Sequence, residues 1–122
     1  MIYQSDNFVL LRPQGRLDAS NALDLQHHIK RLPVSQGSLW VIDLDQVSFV
    51  DSAGLVALIT GFKLAQRHQC RLMICNLCPA VRLIFEITQL DEIFEVFNSH
   101  LDVIATCNLT PDAFPADASW AA

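Results

Sequence analysis

From residue 39 onward the chain alternates between short apolar runs and stretches of helical period. Leu39-Trp40-Val41-Ile42 stops at the acids Asp43 and Asp45, and a second run, Val47 to Val50, leads into Asp51-Ser52-Ala53-Gly54. Beyond Ser52 the apolar positions Leu55, Leu58/Ile59, Phe62 and Ala65/Gln66 recur at three and four residues, the spacing of one helix face. This predicts strand, turn and helix, with Ser52 at or beside the N-cap and Asp51 or Ser52 accepting from the first free backbone N–H groups. Lys63 and Arg67 suit the far end of the helix dipole. Two roles stay open for Ser52: a cap, or a hydroxyl presented at the positive end of a helix, where an added anion is tolerated.

The flanking pattern extends the same alternation. Met1 to Tyr3 and Phe8 to Arg12 are β-like runs around a polar break at Gln4-Ser5-Asp6-Asn7, which predicts a hairpin. Gln14-Gly15-Arg16 reads as a turn, and Leu17-Asp18-Ala19-Ser20 leads into a helix with the stripe Ala22, Leu25, Ile29 and Leu32, ended by Pro33. Ser35-Gln36-Gly37-Ser38 reads as a loop. Downstream, Cys70 to Cys75 is apolar without alternation, as in an interior parallel strand. Pro79 fits the first position of a helix buried through Val81, Ile84/Phe85 and Thr88. The run Ile93 to Phe97 is expected as an edge strand. Ser99 and Asp102 resemble a capping box before a last helix carrying Leu101, Ile104, Ala105 and Asn108. No repeat or second domain is visible. The expected fold is a single α/β domain over residues 1–108, followed by a loosely ordered tail, 109–122. Its sheet should be mixed but mostly parallel, of four to five strands, with about four helices.

Composition narrows the function. With 122 residues, 52% hydrophobic, the chain can bury a core, and a formal charge of −5 argues against nucleic acid or an anionic membrane surface as partner. No apolar run reaches membrane-spanning length and no signal-peptide pattern opens the chain, so a soluble cytoplasmic protein is expected. Cys70, Cys75, Cys78 and Cys107 share the spacing of a plant-type iron–sulfur site. Cys70 and Cys75, however, bracket an extended strand that would hold their sulfurs about 16 Å apart, so reduced, metal-free thiols are expected. Asp18, Asp43, Asp45 and Asp51 read as solvated strand-end acids. No metal, cofactor or catalytic residue is assigned.

At D-S-A-G-L the chain resembles the STAS family, which includes bacterial anti-sigma factor antagonists and sulfate-transporter domains. Three further segments carry the resemblance in the family's order: Gly15-Arg16-Leu17-Asp18, the run Val41-Ile42-Asp43-Leu44 with Val47 to Ser52, and Asn76, Pro79 and Val81. The resemblance implies a small α/β sandwich whose acceptor serine, here Ser52, is phosphorylated by an anti-sigma factor that is a serine kinase and reset by a phosphatase. The unphosphorylated form binds the anti-sigma factor and frees the sigma factor. Ala53 stands where members often carry a second hydroxyl. Gln89 stands where a glycine is usual, which costs about 1 kcal/mol if that position needs positive φ. The partner surface implied comprises Asp18, Asp51, Ser52, Ala53, Gly54, Val56 and Thr60, the last two lying off the predicted helix stripe.

Three other functions compete. As a hydrolase, Ser52 would sit in an elbow like G-x-S-x-G, but Val50 occupies the first glycine position and no spacing brings His27, His28, His68 or His100 toward it. A transporter accessory subunit and a ligand-binding sensor both keep the fold. Sensing would need an internal pocket, of which the sequence gives no sign.

Overall fold

The computed structural model describes residues 2–5, 8–32 and 37–107. Asp6-Asn7, Pro33, Ser35, Gln36, Asn108 and the expected tail lie outside these. The strands β1 (Ile2–Ser5) and β2 (Phe8–Leu11) pair antiparallel. Then come β3 (Gly15–Leu17), helix α1 (Ala22–Lys30), β4 (Leu39–Asp43), β5 (Val47–Val50), helix α2 (Ser52–Arg67) and β6 (Arg71–Cys75). Helix α3 (Pro79–Ile87), a 3-10 turn at Leu90–Glu92, β7 (Glu95–Phe97) and helix α4 (His100–Cys107) complete the order. The main sheet runs β1-β2-β4-β6-β7, parallel except for β1, with β7 at its edge. The expected α/β class, the mixed and mostly parallel sheet and the number of helices all hold.

Strand alternation divides the core. Val9, Leu11, Trp40, Ile42, Leu72 and Ile74 face α1, α2 and α3. Phe8, Leu10, Val41, Met73 and Cys75 face the other way, toward α4 through Val103. Phe94 ties the larger layer together, its ring 5.2 Å from Phe62 of α2 and 5.9 Å from Phe85 of α3. On the opposite face a two-pronged ion pair from Arg71 to Glu95, at 2.6 and 2.8 Å, fastens β7 to β6.

Several expectations are corrected. Gln14-Gly15-Arg16 is not simply a turn: Gly15, at φ 80°, opens β3, which pairs with β5 as a separate two-stranded sheet. Three residues are too few to show strand periodicity, and the partner strand supplies the order. On α2 the fully buried line is Gly54, Ala57, Leu58, Gly61 and Ala65, while Leu55, Ile59 and Phe62 are half-buried. Small side chains let α1 approach: a Cβ at Gly61 would lie 3.1 Å from Cδ1 of the fully buried Ile29. On α3, Val81 and Phe85 are buried but Thr88 is exposed, its hydroxyl donating back to the Ile84 carbonyl at 2.7 Å. On α4 the inward positions are Val103, Ile104 and Cys107, with Leu101 exposed. The Ser99 hydroxyl meets the Asp102 N–H only at 3.4 Å.

A buried charge cluster closes the carboxyl ends of β2, β4 and β6. Asp43, read as a solvated acid, is completely buried. Its Oδ1 accepts from the Asp45 N–H at 2.9 Å and from Nδ2 of Asn76 at 3.1 Å, while Oδ2 lies 3.5 Å from Nε of Arg12. Arg12, also buried, reaches Asp45 at 3.3 Å. Burial pushes the Asp43 carboxyl above its ordinary range, and these hydrogen bonds and the guanidinium only partly oppose that.

Two stability outcomes follow from this geometry. Gln89 sits at φ 61°, so Gln89→Gly should raise the unfolding free energy by about 1 kcal/mol in urea titration. Arg12→Met strands a buried carboxylate and should cost about 3–5 kcal/mol, part of which Arg12→Met/Asp43→Asn should restore. A double-mutant cycle without coupling would contradict the pairing.

Candidate functional site

The site is assembled where β3 and β5 end side by side. Leu17 is opposite Val50 in their parallel register, so Asp18 and Asp51 leave neighbouring strands in the same direction. The Leu17 carbonyl accepts the Asp51 N–H at 3.1 Å. The same carbonyl explains Gly54: a Cβ there would stand 2.3 Å from the Leu17 oxygen and 2.9 Å from a Val50 methyl. Backbone cannot retreat as a side-chain tip can, so glycine is required for close approach and not for an unusual φ.

Asp51 is the N-cap of α2. Its backbone is extended, and Oδ1 accepts the Gly54 N–H at 3.0 Å while its carbonyl accepts from Leu55 at 2.9 Å. The two roles left open for Ser52 are thereby separated: Asp51 does the capping, and Ser52, the first helical residue, is exposed. Its side chain stands at the positive end of a 16-residue helix. Ala53 is half-buried against the core, and Gly54 is buried. Val56 is 53% exposed, whereas Thr60 is half-buried, its hydroxyl donating to the Val56 carbonyl at 2.9 Å.

Asp18 is held by its own loop. Its Oδ1 accepts from the Ser20 hydroxyl at 2.5 Å and the Ser20 N–H at 3.0 Å, and Oδ2 lies 3.6 Å from Nε of Arg16. The two Ser20 bonds, aided by Arg16, keep its carboxyl below the ordinary range, so it is anionic at neutral pH. Arg16 also lies over the Phe49 ring, 4.5 Å from the centroid. Asn21 spans the loop, its Oδ1 accepting the Asp18 N–H at 2.9 Å and its Nδ2 donating to the Arg16 carbonyl. Arg16, Asn21 and Leu17 therefore position the site without having been singled out in sequence as functional. Hydropathy ranks Leu17 as core, and no pattern marks Asn21 as the brace.

The histidines are distributed elsewhere. His27 and His28 belong to α1, His68 follows the opposite end of α2 from Ser52, and His100 begins α4 on the other face of the sheet. Cys70 and Cys75 are buried, Cys78 and Cys107 half-buried, and burial beside Asp43 and Asp45 pushes the Cys75 thiol far up. Among the described residues no three His, Cys, Asp or Glu side chains gather as metal ligands, and no helix is long and apolar enough to cross a membrane.

A mostly parallel sheet with helices on both faces, and a serine opening an aspartate-capped helix at a strand-to-helix turn, define a small α/β domain of a known kind. Residues 1–103 match the family model described as STAS domain, and the chain belongs to that family. It is 33% identical over 84 residues to the anti-sigma-B factor antagonist of Listeria monocytogenes, an alignment covering 69% of this chain and 74% of that protein. An anti-sigma factor antagonist from Mycobacterium paratuberculosis superposes with a TM-score of 0.71 at 24% identity, covering 87% of this chain and 90% of the other. A sulfate transporter family protein from Wolinella succinogenes shares the fold with a TM-score of 0.68 at 12% identity, over 77% and 79% of the two chains.

Gly54→Ala should destabilise the domain by about 1–3 kcal/mol, because the new methyl meets the Leu17 carbonyl. Chemical denaturation checks this. Ser52→Ala, at an exposed position beyond the cap, should leave stability within about 0.5 kcal/mol of wild type.

Proposed function

We propose that this chain is an anti-sigma factor antagonist working by partner switching. Unphosphorylated, it binds an anti-sigma factor that is also a serine kinase; phosphorylated on Ser52, it lets go, and a serine phosphatase restores it. The observation that carries this reading is the exposed Ser52 hydroxyl at the start of α2, freed from capping by Asp51. The antagonists named among its relatives support the role. In this reading Asp18, Asp51, Ser52, Ala53, Gly54, Val56 and Thr60 form the partner surface. The protein is cytoplasmic and catalyses nothing, and the nucleotide and any metal for phosphotransfer come with the kinase.

The geometry gives the switch a physical basis. Phosphorylation would add about −1.5 to −2 charges at neutral pH. Within the domain the positive end of α2 offsets part of that charge, so the fold should persist. Across the interface, a partner complementary to a small hydroxyl flanked by Asp18 and Asp51 must instead accommodate a bulky dianion. Like-charge crowding and phosphate desolvation cost several kcal/mol, and each ~1.4 kcal/mol is tenfold in affinity.

Titration calorimetry with the host's anti-sigma kinase tests this reading. Ser52→Ala should bind the kinase and take no phosphate, whereas Ser52→Asp should bind roughly a hundredfold more weakly while melting near the wild-type temperature. Equal affinities of wild type and Ser52→Asp would sink the switch, as would labelling that persists in Ser52→Ala.

A further inference from the structure

A pocket of about 190 Å³ opens beside the Asp18 loop, between the segment that follows β2 and the first turns of α1. Leu11, Leu17 and Leu25 make its apolar floor, and all three are buried. Asp24 and His28, both exposed, stand at its edge, and Asp24 brings a carboxylate.

Volume, polarity and charge together decide what fits. The volume falls below the roughly 300–1,000 Å³ of sites for free small molecules, yet suits a single long side chain. An apolar floor with a carboxylate at the edge matches a side chain whose stem is hydrocarbon and whose head is cationic. The one guanidinium in the wall, that of Arg12, lies 3.5 Å from Asp43 and 3.3 Å from Asp45. Arg12 is thus matched by two acids outside the pocket, which leaves the Asp24 carboxylate to meet a basic head.

Position links the pocket to the serine loop. Leu17, in the floor, gives its carbonyl to the Asp51 N–H, and Asn21, in the wall, holds the Asp18 N–H. A partner covering Asp18 and Ser52 therefore passes the opening. We propose that the pocket seats one arginine or lysine side chain of the anti-sigma partner, a subsite beyond the surface around Ser52. This rests on the function proposed above. It adds an anchor of the kind that dominates interface energetics, a long basic side chain in a desolvated pocket.

The test uses the full chain and the purified host kinase that phosphorylates wild-type Ser52, with affinities read by titration calorimetry. Asp24→Lys should weaken binding at least tenfold, and Asp24→Glu should stay near wild type. Gln14→Trp, which fills the mouth from an exposed position, should also weaken binding at least tenfold. Thermal melts should remain near wild type for all three. If wild type binds and both Asp24→Lys and Gln14→Trp bind equally well, the subsite is wrong while the switch stands. Weakening by Gln14→Trp alone would overturn the basic side chain as occupant. Wild type that neither binds nor is labelled would remove the proposed function, and the subsite with it.

Discussion

One carbonyl oxygen, that of Leu17, sets the geometry on which the candidate site depends. It accepts the Asp51 N–H at 3.1 Å, which joins the end of β3 to the entry of α2. It also fills the space that a side chain at residue 54 would need. The first turn of α2 is thus pressed against the neighbouring strand end. Asp18 and Ser52, distant in sequence, come to one edge because their strands are parallel and in register there. The order of D-S-A-G then has a physical reading: Asp51 caps, Ser52 is presented, Ala53 packs and Gly54 allows the approach.

Around this edge the acids divide by environment. Asp43 is buried, its carboxyl pushed up by desolvation and steadied by Asn76, the Asp45 N–H and Arg12. Asp18 lies toward solvent, its carboxyl held down chiefly by Ser20. The first belongs to the architecture, because removing one member of a buried ion pair leaves an uncompensated charge. The second belongs to the surface, where its own loop holds the charge in place. Neighbouring strand ends thus carry one acid fixed in the core and one held at the surface.

The packing of α1 on α2 depends on the smallest residues in the chain. Gly54, Ala57, Gly61 and Ala65 recur at three and four residues along α2, so a continuous low ridge faces inward. Ile29 occupies the space over Gly61. Larger apolar residues, Leu55, Ile59 and Phe62, flank the ridge and are half-buried. This orientation leaves Val56 outward beside the serine loop, while Thr60 spends its hydroxyl on the helix backbone.

Much of this was legible in the linear pattern. Apolar runs of four or five residues gave β2, β4, β5 and β6, and Pro79 marked the start of α3, because these signals are local and period-dependent. The D-S-A-G motif located the serine at a strand-to-helix turn. Hydropathy could not rank a glycine above a phenylalanine as the inward residue of α2, since closeness of approach belongs to the pair of helices. Nor could it show that a three-residue strand pairs with β5, that Arg12 and Asn76 enclose Asp43, or that Asn21 braces the Asp18 loop. The sequence by itself determined most of the elements, much of the apolar core and the candidate serine. Tertiary structure alone decided which acids are buried, which residue caps α2 and which loops share an edge, because each depends on contacts between segments far apart in the chain.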